Sequence, residues 1–132
     1  MICILDASAA LEIALKRGKQ KLYLSVLDDA DLILAPDLFI AEITNVFWKY
    51  VKFESYDIET CETMLDKTVE LVDEYIDSRY IYKEAFTLAC SLNHSVYDIL
   101  YLVLAQKHNA TILTSDKKLA HLASEFNLRT PN

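Results

Sequence analysis

The sequence predicts an α/β sandwich with a mostly parallel sheet. Short apolar runs, typical of buried strands, alternate along the chain with longer segments whose apolar residues recur at helical spacing. The 132 residues contain one glycine, Gly18, and two prolines. An all-β fold needs many turn residues, so this scarcity favours long helices joined by short connections.

The first predicted strand is the continuous apolar run at residues 2–5, a pattern typical of a strand buried on both faces. Ser8 then stands where it can cap a helix over residues 9–15. The polar segment 16–21 contains Gly18 and predicts a turn. A second helix is expected over residues 21–28.

A second apolar run at residues 32–35 predicts a strand that stops at Pro36, because proline lacks the N–H that a central strand donates. Asp37 is a good N-cap for a long helix over residues 38–53, and Asp57 for a helix over residues 58–67. In the first of these two helices, apolar residues recur at helical spacing.

The second half of the chain continues the alternation. Residues 69–73 alternate like a strand, although a helix continuing through them fits as well. Ser95 and Asp98 resemble a capping box, with Asp in place of Glu, that opens a helix. The predicted elements are a helix over 78–92, this helix to about 107, a strand over 111–114, a helix over 116–125 and a short last strand over 128–130.

Length and composition restrict the class of protein. A chain of 132 residues that is 53% hydrophobic and 25% charged predicts one globular domain over residues 1–132. No apolar run approaches the ~20 residues of a membrane span, and the N-terminus lacks the features of a signal peptide, so we expect a cytoplasmic protein. The net charge of −7 disfavours a generic nucleic-acid binder. The three cysteines lack C-x-x-C pairing, which favours buried reduced thiols.

Four acidic residues lie beside or within apolar segments: Asp6, Glu42, Asp98 and Asp116. A carboxylate in such a place risks desolvation and usually has a partner or a purpose. Each also has an ordinary explanation. Asp98 and Asp116 complement helix dipoles, Asp6 accepts hydrogen bonds at a turn, and Glu42 is solvated on its helix.

Taken together, the four acids are expected on one edge of the sheet, because strand carboxyl ends and the following helix amino ends meet there. Two carboxylates ~4 Å apart repel by roughly 1 kcal/mol in water and roughly 4 kcal/mol at an effective dielectric of 20. A convergent set would therefore need a cation such as Mg²⁺ or Mn²⁺. Ser8, Asn45 and Thr114 are accessory candidates for hydrogen bonds to the acids, to water or to substrate.

The series Asp6-Ala7-Ser8, Glu42-Ile43-Thr44-Asn45, Ser95-Val96-Tyr97-Asp98 and Thr114-Ser115-Asp116 resembles a PIN domain. The apolar stretch 99–105 fits that family too. The resemblance covers essentially the whole chain, and a chain of this size is most similar to the VapC-type toxins of toxin–antitoxin pairs.

The resemblance implies a three-layer αβα sandwich and a Mg²⁺- or Mn²⁺-dependent ribonuclease that hydrolyses RNA phosphodiester bonds. By position, Asp6, Glu42, Asp98 and Asp116 form its acidic quartet, with Ser8, Asn45 and Thr114 in accessory positions. It further implies a homodimer neutralised by a small antitoxin. We expect Asp6, Asp98 and Asp116 to bind metal directly, and Glu42 to bind through water or to orient the attacking hydroxide.

Other classes fit the sequence less well. A phosphoacceptor signalling domain would have paired acids after the first strand, and a haloacid-dehalogenase-type phosphatase would have D-x-D, where this chain has Ser8. No histidine matches the placement of the acids, which disfavours a histidine general base. The better rival is a non-catalytic PIN-like module that binds RNA or a partner without cutting.

Overall fold

A computed structural model describes residues 1–131; Asn132, the last residue of the expected domain, lies outside the described residues. Four parallel strands form one sheet in the order β3-β2-β1-β4, which confirms the predicted class. The strands are β1 (Ile2–Leu5), β2 (Leu32–Pro36), β3 (Glu74–Ile76) and β4 (Thr111–Leu113). The helices are α1 (Ala7–Ala14), α2 (Gln20–Asp29), α3 (Leu38–Glu54), α4 (Ile58–Val69), α5 (Tyr82–Leu92), α6 (Val96–His108) and α7 (Lys117–Glu125), with a 3₁₀ turn at Ser78–Tyr80.

The helices cover both faces of the sheet and form two cores. Successive strand residues point to opposite faces, so Ile4 packs in one core and its neighbour Leu5 in the other. The first core contains α5, α6 and α7, and the second contains α1, α2, α3 and α4. This arrangement gives the three-layer αβα sandwich that the family resemblance implies.

Helix α6 is the most deeply buried helix of the described chain, because every residue from Ile99 to Ala105 is buried. It packs on β1, β2 and β4 and against α5 and α7. In the part of the chain that the structure describes, no single helix is long and apolar enough to cross a membrane. Only α5 and α6 together, bent by 116°, meet that test by length and composition.

The start of α1 differs from the prediction. The helix begins at Ala7 rather than residue 9, and its N-cap is Asp6 rather than Ser8. The Asp6 carboxylate accepts the backbone N–H of Ala9 at 2.9 Å, the usual bond of an N-cap side chain. Ser8 lies inside the first turn, where its hydroxyl bonds to Asp6 instead.

β2 was expected to stop before Pro36, but Pro36 is the last residue of that strand and pairs with Ile76. Its missing N–H costs little there, because Asp37, one residue later, donates its N–H to the Ile76 carbonyl at 2.9 Å. Asp37 does not cap α3 with its side chain. Its carboxylate accepts hydrogen bonds from the backbone and hydroxyl of Ser78.

Four further details of the prediction were wrong. Residues 69–73 form neither the strand nor the continuing helix considered from the sequence, because α4 ends at Val69 and β3 starts only at Glu74. The helix expected over 78–92 is divided into the 3₁₀ turn and α5, since Asp77 caps a separate turn. Residues 128–130 are not a strand, although Arg129 accepts a hydrogen bond from Ile112. Cys90 is exposed, whereas Cys3 and Cys61 are buried.

Candidate active site

Asp6 is the most buried acid of the candidate site, with only 5% of its surface exposed. It follows β1 directly, and its carboxylate accepts three hydrogen bonds. Ser8 Oγ donates to Oδ1 at 2.7 Å, the Ala9 N–H donates to the same oxygen, and Thr114 Oγ1 donates to Oδ2. Burial raises the pKa of Asp6 to about 6, the three hydrogen bonds oppose that shift, and the nearby Glu42 adds to it.

The two hydroxyls connect Asp6 with the loop after β4. Ser8 Oγ accepts the N–H of Ser115 at 2.9 Å, and Thr114 Oγ1 accepts the N–H of Asp116 at 3.0 Å. Each hydroxyl thus donates to Asp6 and accepts from that loop. Thr114 therefore links the carboxylate of the first acid of the predicted quartet to the backbone of the last, and Ser8 links the same carboxylate to Ser115.

Glu42 lies in the second turn of α3 and is half-buried. Its Oε1 accepts a 2.6 Å hydrogen bond from the Tyr101 hydroxyl on α6. Burial raises the pKa of Glu42, the tyrosine hydrogen bond lowers it, and the charge of Asp98 raises it further. The pKa of Tyr101 is itself raised by burial and by the Glu42 charge, which keeps its hydroxyl protonated as a donor.

Asp98 occupies the first turn of α6 and is half-buried. Burial raises its pKa, Asp116 raises it further, and His94 and Lys118 oppose the shift. His94 Nε2 lies 3.8 Å from Asp98 Oδ2. The expected capping box is not formed, because the Ser95 side chain makes no capping bond to α6.

Asp116 is the N-cap of α7. Its Oδ1 accepts the backbone N–H of Lys118 at 2.8 Å and of Leu119 at 3.2 Å. The ordinary explanation considered for Asp116 from the sequence was a charge that complements the helix dipole, and in the structure its side chain also caps the helix. This capping role coexists with a position close enough to Asp98 for the two charges to interact.

The four acids form a row of electrostatic neighbours: Asp6 beside Glu42, Glu42 beside Asp98, and Asp98 beside Asp116. Within residues 1–131, no three His, Cys, Asp or Glu side chains are grouped closely enough to hold a metal ion as they stand. The carboxylates of Asp6, Glu42 and Asp116 each accept hydrogen bonds from protein donors. The donors are all hard carboxylate oxygens and like charge raises three of their pKa values, so the row fits a divalent cation in chemistry.

Asn45 takes no part in the hydrogen bonds that hold the acids. It is exposed one turn after Glu42, and it lines an open groove of about 1030 Å³ that also contains Trp48 and Tyr97. None of the four acids lines this groove, although Ala41 and Tyr97, which do, are chain neighbours of Glu42 and Asp98. In the described residues no hydrogen bond joins Asn45 to the acids.

Sequence reasoning missed two tyrosines at the site. Tyr101, which lies in the apolar stretch 99–105, donates its hydroxyl to Glu42. The Tyr23 hydroxyl donates to the Thr114 carbonyl at 3.0 Å and lies 2.8 Å from Ser115 Oγ. The position of Tyr101 three residues after Asp98 places both on one side of α6, which is a signal that was available. No comparable local pattern connects Tyr23 to residues about 90 positions away.

The PIN domain family model matches residues 3–125 of the chain. Two curated relatives are similar over most of their length. "Ribonuclease VapC3" from Pyrobaculum aerophilum is 27% identical over 91% of this chain and 93% of the relative. "Ribonuclease VapC1" from Mycobacterium tuberculosis is 29% identical over 89% of this chain and 88% of the relative.

Two solved structures share the fold. PAE2754 from Pyrobaculum aerophilum superimposes with a TM-score of 0.72 at 20% identity, covering 92% of this chain and 86% of the other. VapBC2 from Rickettsia felis, bound to a DNA fragment from the promoter of the pair, gives a TM-score of 0.69 at 22% identity. That match covers 100% of this chain and 98% of the other.

Proposed function

The chain belongs to the PIN domain family, and from that premise we propose that it is an endoribonuclease that hydrolyses RNA phosphodiester bonds with Mg²⁺ or Mn²⁺, as the toxin of a toxin–antitoxin pair. The observation that carries the proposal is the row of neighbouring carboxylates Asp6, Glu42, Asp98 and Asp116. Two relatives that match most of the chain are named ribonucleases, which supports the choice of RNA.

The electrostatic cost of placing these carboxylates next to one another supports a bound cation between them. Burial and neighbouring negative charge raise the pKa values of Asp6, Glu42 and Asp98, so ionising all of them is unfavourable in the protein alone. We propose Asp6, Asp98 and Asp116 as direct ligands and Glu42 as a ligand through water or the group that orients it. When bound, a divalent cation lowers the pKa of a coordinated water and stabilises charge on phosphoryl oxygens.

The accessory residues have different roles. Ser8 and Thr114 fix the Asp6 carboxylate through both of its oxygens. Asn45, exposed one turn after Glu42, lines the open groove, and we propose that its amide contacts a phosphate or a base there. Among the described residues, the histidine near the acids is His94, whose Nε2 lies 3.8 Å from Oδ2 of Asp98. We therefore assign no general-base role to histidine.

An RNA cleavage assay tests the proposal. We expect the purified protein to cut members of a panel of structured RNAs with Mg²⁺ or Mn²⁺, and to stop when EDTA is added. Asp98→Asn should reduce cleavage by at least 100-fold, in the range of losses seen for groups that stabilise transition-state charge. Asp66→Asn, an exposed acid on α4, is the matched control and should cut like the parent.

The same assay separates the proposal from its rival. A non-catalytic PIN-like module would bind RNA without cutting it, with or without added cation. A parent protein that binds the RNA panel but leaves it intact in Mn²⁺ would favour that module. Cleavage by Asp98→Asn at the rate of the parent would instead show that the acids are assigned wrongly.

We also propose a homodimer and a small antitoxin partner. The chain shares its fold with VapBC2 of Rickettsia felis, and its resemblance to VapC-type toxins implies an antitoxin. Large apolar side chains remain exposed on the isolated chain: Trp48 51%, Tyr80 73%, Phe86 64% and Tyr97 62%. Exposed aromatic surface of this kind is typical of protein–protein interfaces.

Two measurements test the partners. Light scattering should give twice the mass of the chain, and a monomer would contradict the dimer. The product of a short neighbouring reading frame should co-purify with the chain and inhibit cleavage.

We also propose that residues 1–132 form a single domain and that the protein is cytoplasmic. Limited proteolysis tests the first proposal, and fractionation of cells tests the second.

A further inference from the structure

The acids of the candidate site differ in how firmly the protein holds them. Asp6 accepts three hydrogen bonds, and Asp116 accepts two backbone N–H groups. Glu42 has the longer side chain and one protein donor among the described residues, the Tyr101 hydroxyl at 2.6 Å. Without that donor, the rotatable bonds of Glu42 would be free to carry its carboxylate away from the row of acids.

Tyr101 is well placed to hold Glu42. Only 2% of its surface is exposed, so packing fixes its ring and leaves the hydroxyl little freedom. It lies on the same side of α6 as Asp98, three residues away. Helix α6 thereby supplies one acid directly and fixes the neighbouring acid on α3.

The contact also leaves Glu42 chemically free. Tyr101 bonds to Oε1, and no described residue donates to Oε2. No buried side-chain oxygen among the described residues lacks a partner, so Oε2 is open to solvent. Tyr101 therefore holds Oε1 of Glu42 and leaves Oε2 free to bind another group.

We propose that Tyr101 is a positioning residue of the acidic site, whose hydroxyl holds Glu42 through Oε1 so that Oε2 faces the substrate and cation side. This inference rests on the proposed nuclease function. Tyr101 acts through Glu42, and this role requires a hydroxyl group at position 101. A phenylalanine there would keep the packing and lose the role.

The test compares Tyr101→Phe with Tyr75→Phe. Tyr75 donates its hydroxyl to the Val69 carbonyl, also at 2.6 Å, so the control removes an equivalent hydrogen bond away from the acids. Mn²⁺ binding is measured by titration calorimetry, and RNA cleavage as kcat and KM. We expect Tyr101→Phe to bind Mn²⁺ at least tenfold more weakly, as for other residues that orient a metal ligand, and to lose kcat with little change in KM.

A double mutant separates positioning from a general loss of structure. If Tyr101 acts through Glu42, the variant Tyr101→Phe/Glu42→Gln should be no worse than Glu42→Gln alone. Additive losses would overturn the inference, as would equal Mn²⁺ affinities for Tyr101→Phe and Tyr75→Phe.

The calorimetric measurement needs no RNA, so it judges Tyr101 separately from the nuclease activity. A parent that binds Mn²⁺ but cuts no RNA contradicts the proposed function, while a weaker affinity of Tyr101→Phe still supports the role of Tyr101. A parent that cuts RNA together with an unaffected Tyr101→Phe contradicts the inference alone. A parent that binds no Mn²⁺ overturns the inference as well.

Discussion

The hydroxyl of Ser8 donates a 2.7 Å hydrogen bond to Oδ1 of Asp6, from within the same helical turn that Asp6 caps. With the bond from Thr114 to Oδ2, it gives a buried carboxylate the donors that its anionic form needs. Burial still dominates, because the pKa of Asp6 is about 6, above its ordinary value of 3.8. Asp6 is therefore an acid whose charge depends on its neighbours near neutral pH.

Replacing Thr114 by valine should raise the pKa of Asp6 further. Among the hydrogen bonds that lower this pKa, that of Thr114 has the largest effect, and valine keeps the shape of the side chain without the donor. We expect an increase on the order of one unit, read by carbon NMR of the carboxyl group in metal-free protein. The acid limb of the cleavage pH profile should move to higher pH.

Ser8→Ala is the internal comparison for Thr114→Val. Ser8 has a smaller effect on Asp6 than Thr114, so its loss should produce a smaller increase in the same pKa. An unchanged Asp6 pKa in Thr114→Val would contradict the assignment of that hydroxyl as the main donor.

The metal-free protein should become more stable as the pH falls from about 7 to about 5. The folded pKa of Asp6 is raised from 3.8 to about 6, so in this range the folded state holds a proton that the unfolded chain has lost. Stability therefore increases as the pH falls through 6, by at most about 3 kcal/mol when complete near pH 4. Glu42 and Asp98 shift in the same direction.

Urea unfolding in EDTA at several pH values measures this dependence, and Asp6→Asn should flatten it. Asp31 and Asp77 have lowered pKa values, so their stabilisation is lost only at more acid pH, below this window. A free energy of unfolding that decreases between pH 7 and pH 5 would contradict the prediction. Added Mg²⁺ should stabilise the protein most at the upper end of the range, where the acids are ionised.

The fold was predictable because its main signals are local. Short apolar runs marked the positions of β1, β2 and β4, and helical spacing marked α3 and α6, whose burial at residues 99–105 follows from an unbroken apolar sequence. Errors arose where a tertiary contact overrides a local preference. Asp37 precedes a helix like an ordinary cap, but its carboxylate bonds to Ser78, about 40 residues later.

The proximity of the four candidate acids was predictable for a topological reason, since strand carboxyl ends share an edge. Their hydrogen-bond partners were not. The role of Tyr101 depends on how α6 packs against α3, and the role of Tyr23 depends on how α2 lies against the loop after β4. The spacing of residues along one helix or strand does not determine the distances between side chains on different elements.

Gly18→Ala should destabilise the protein by about 1 to 2 kcal/mol. Gly18 has φ +56°, a conformation that costs other residues about 1–2 kcal/mol. An added Cβ would also lie 2.7 Å from Cδ of Glu12, whose Oε2 accepts the N–H of Lys19 at 3.0 Å. Moving the Glu12 side chain away would weaken that bond.

Thermal and urea unfolding measure the loss, and Glu12→Ala separates its two causes. In the Glu12→Ala background the clash is absent, so Gly18→Ala should cost only the backbone strain. A cost equal in both backgrounds would show that Glu12 moves aside freely, and no cost in either would contradict the positive φ of residue 18.

Ser55→Gly should stabilise the protein by about 0.5 to 1 kcal/mol, the opposite effect of a glycine substitution within a helix. Ser55 ends α3 with φ 54° and ψ 31°, and the next residue, Tyr56, donates its N–H back to the Tyr50 carbonyl at 3.2 Å. Glycine reaches this left-handed conformation without a Cβ penalty, and this advantage outweighs the larger entropy of glycine in the unfolded chain.

Ser25→Gly, at an exposed position inside α2, is the matched control. It should destabilise the protein by about 0.5 kcal/mol, because glycine is a poor residue for a helix interior. Urea unfolding of the two variants should therefore shift in opposite directions, and a shift of both in the same direction would show that the conformation of residue 55 does not govern the result.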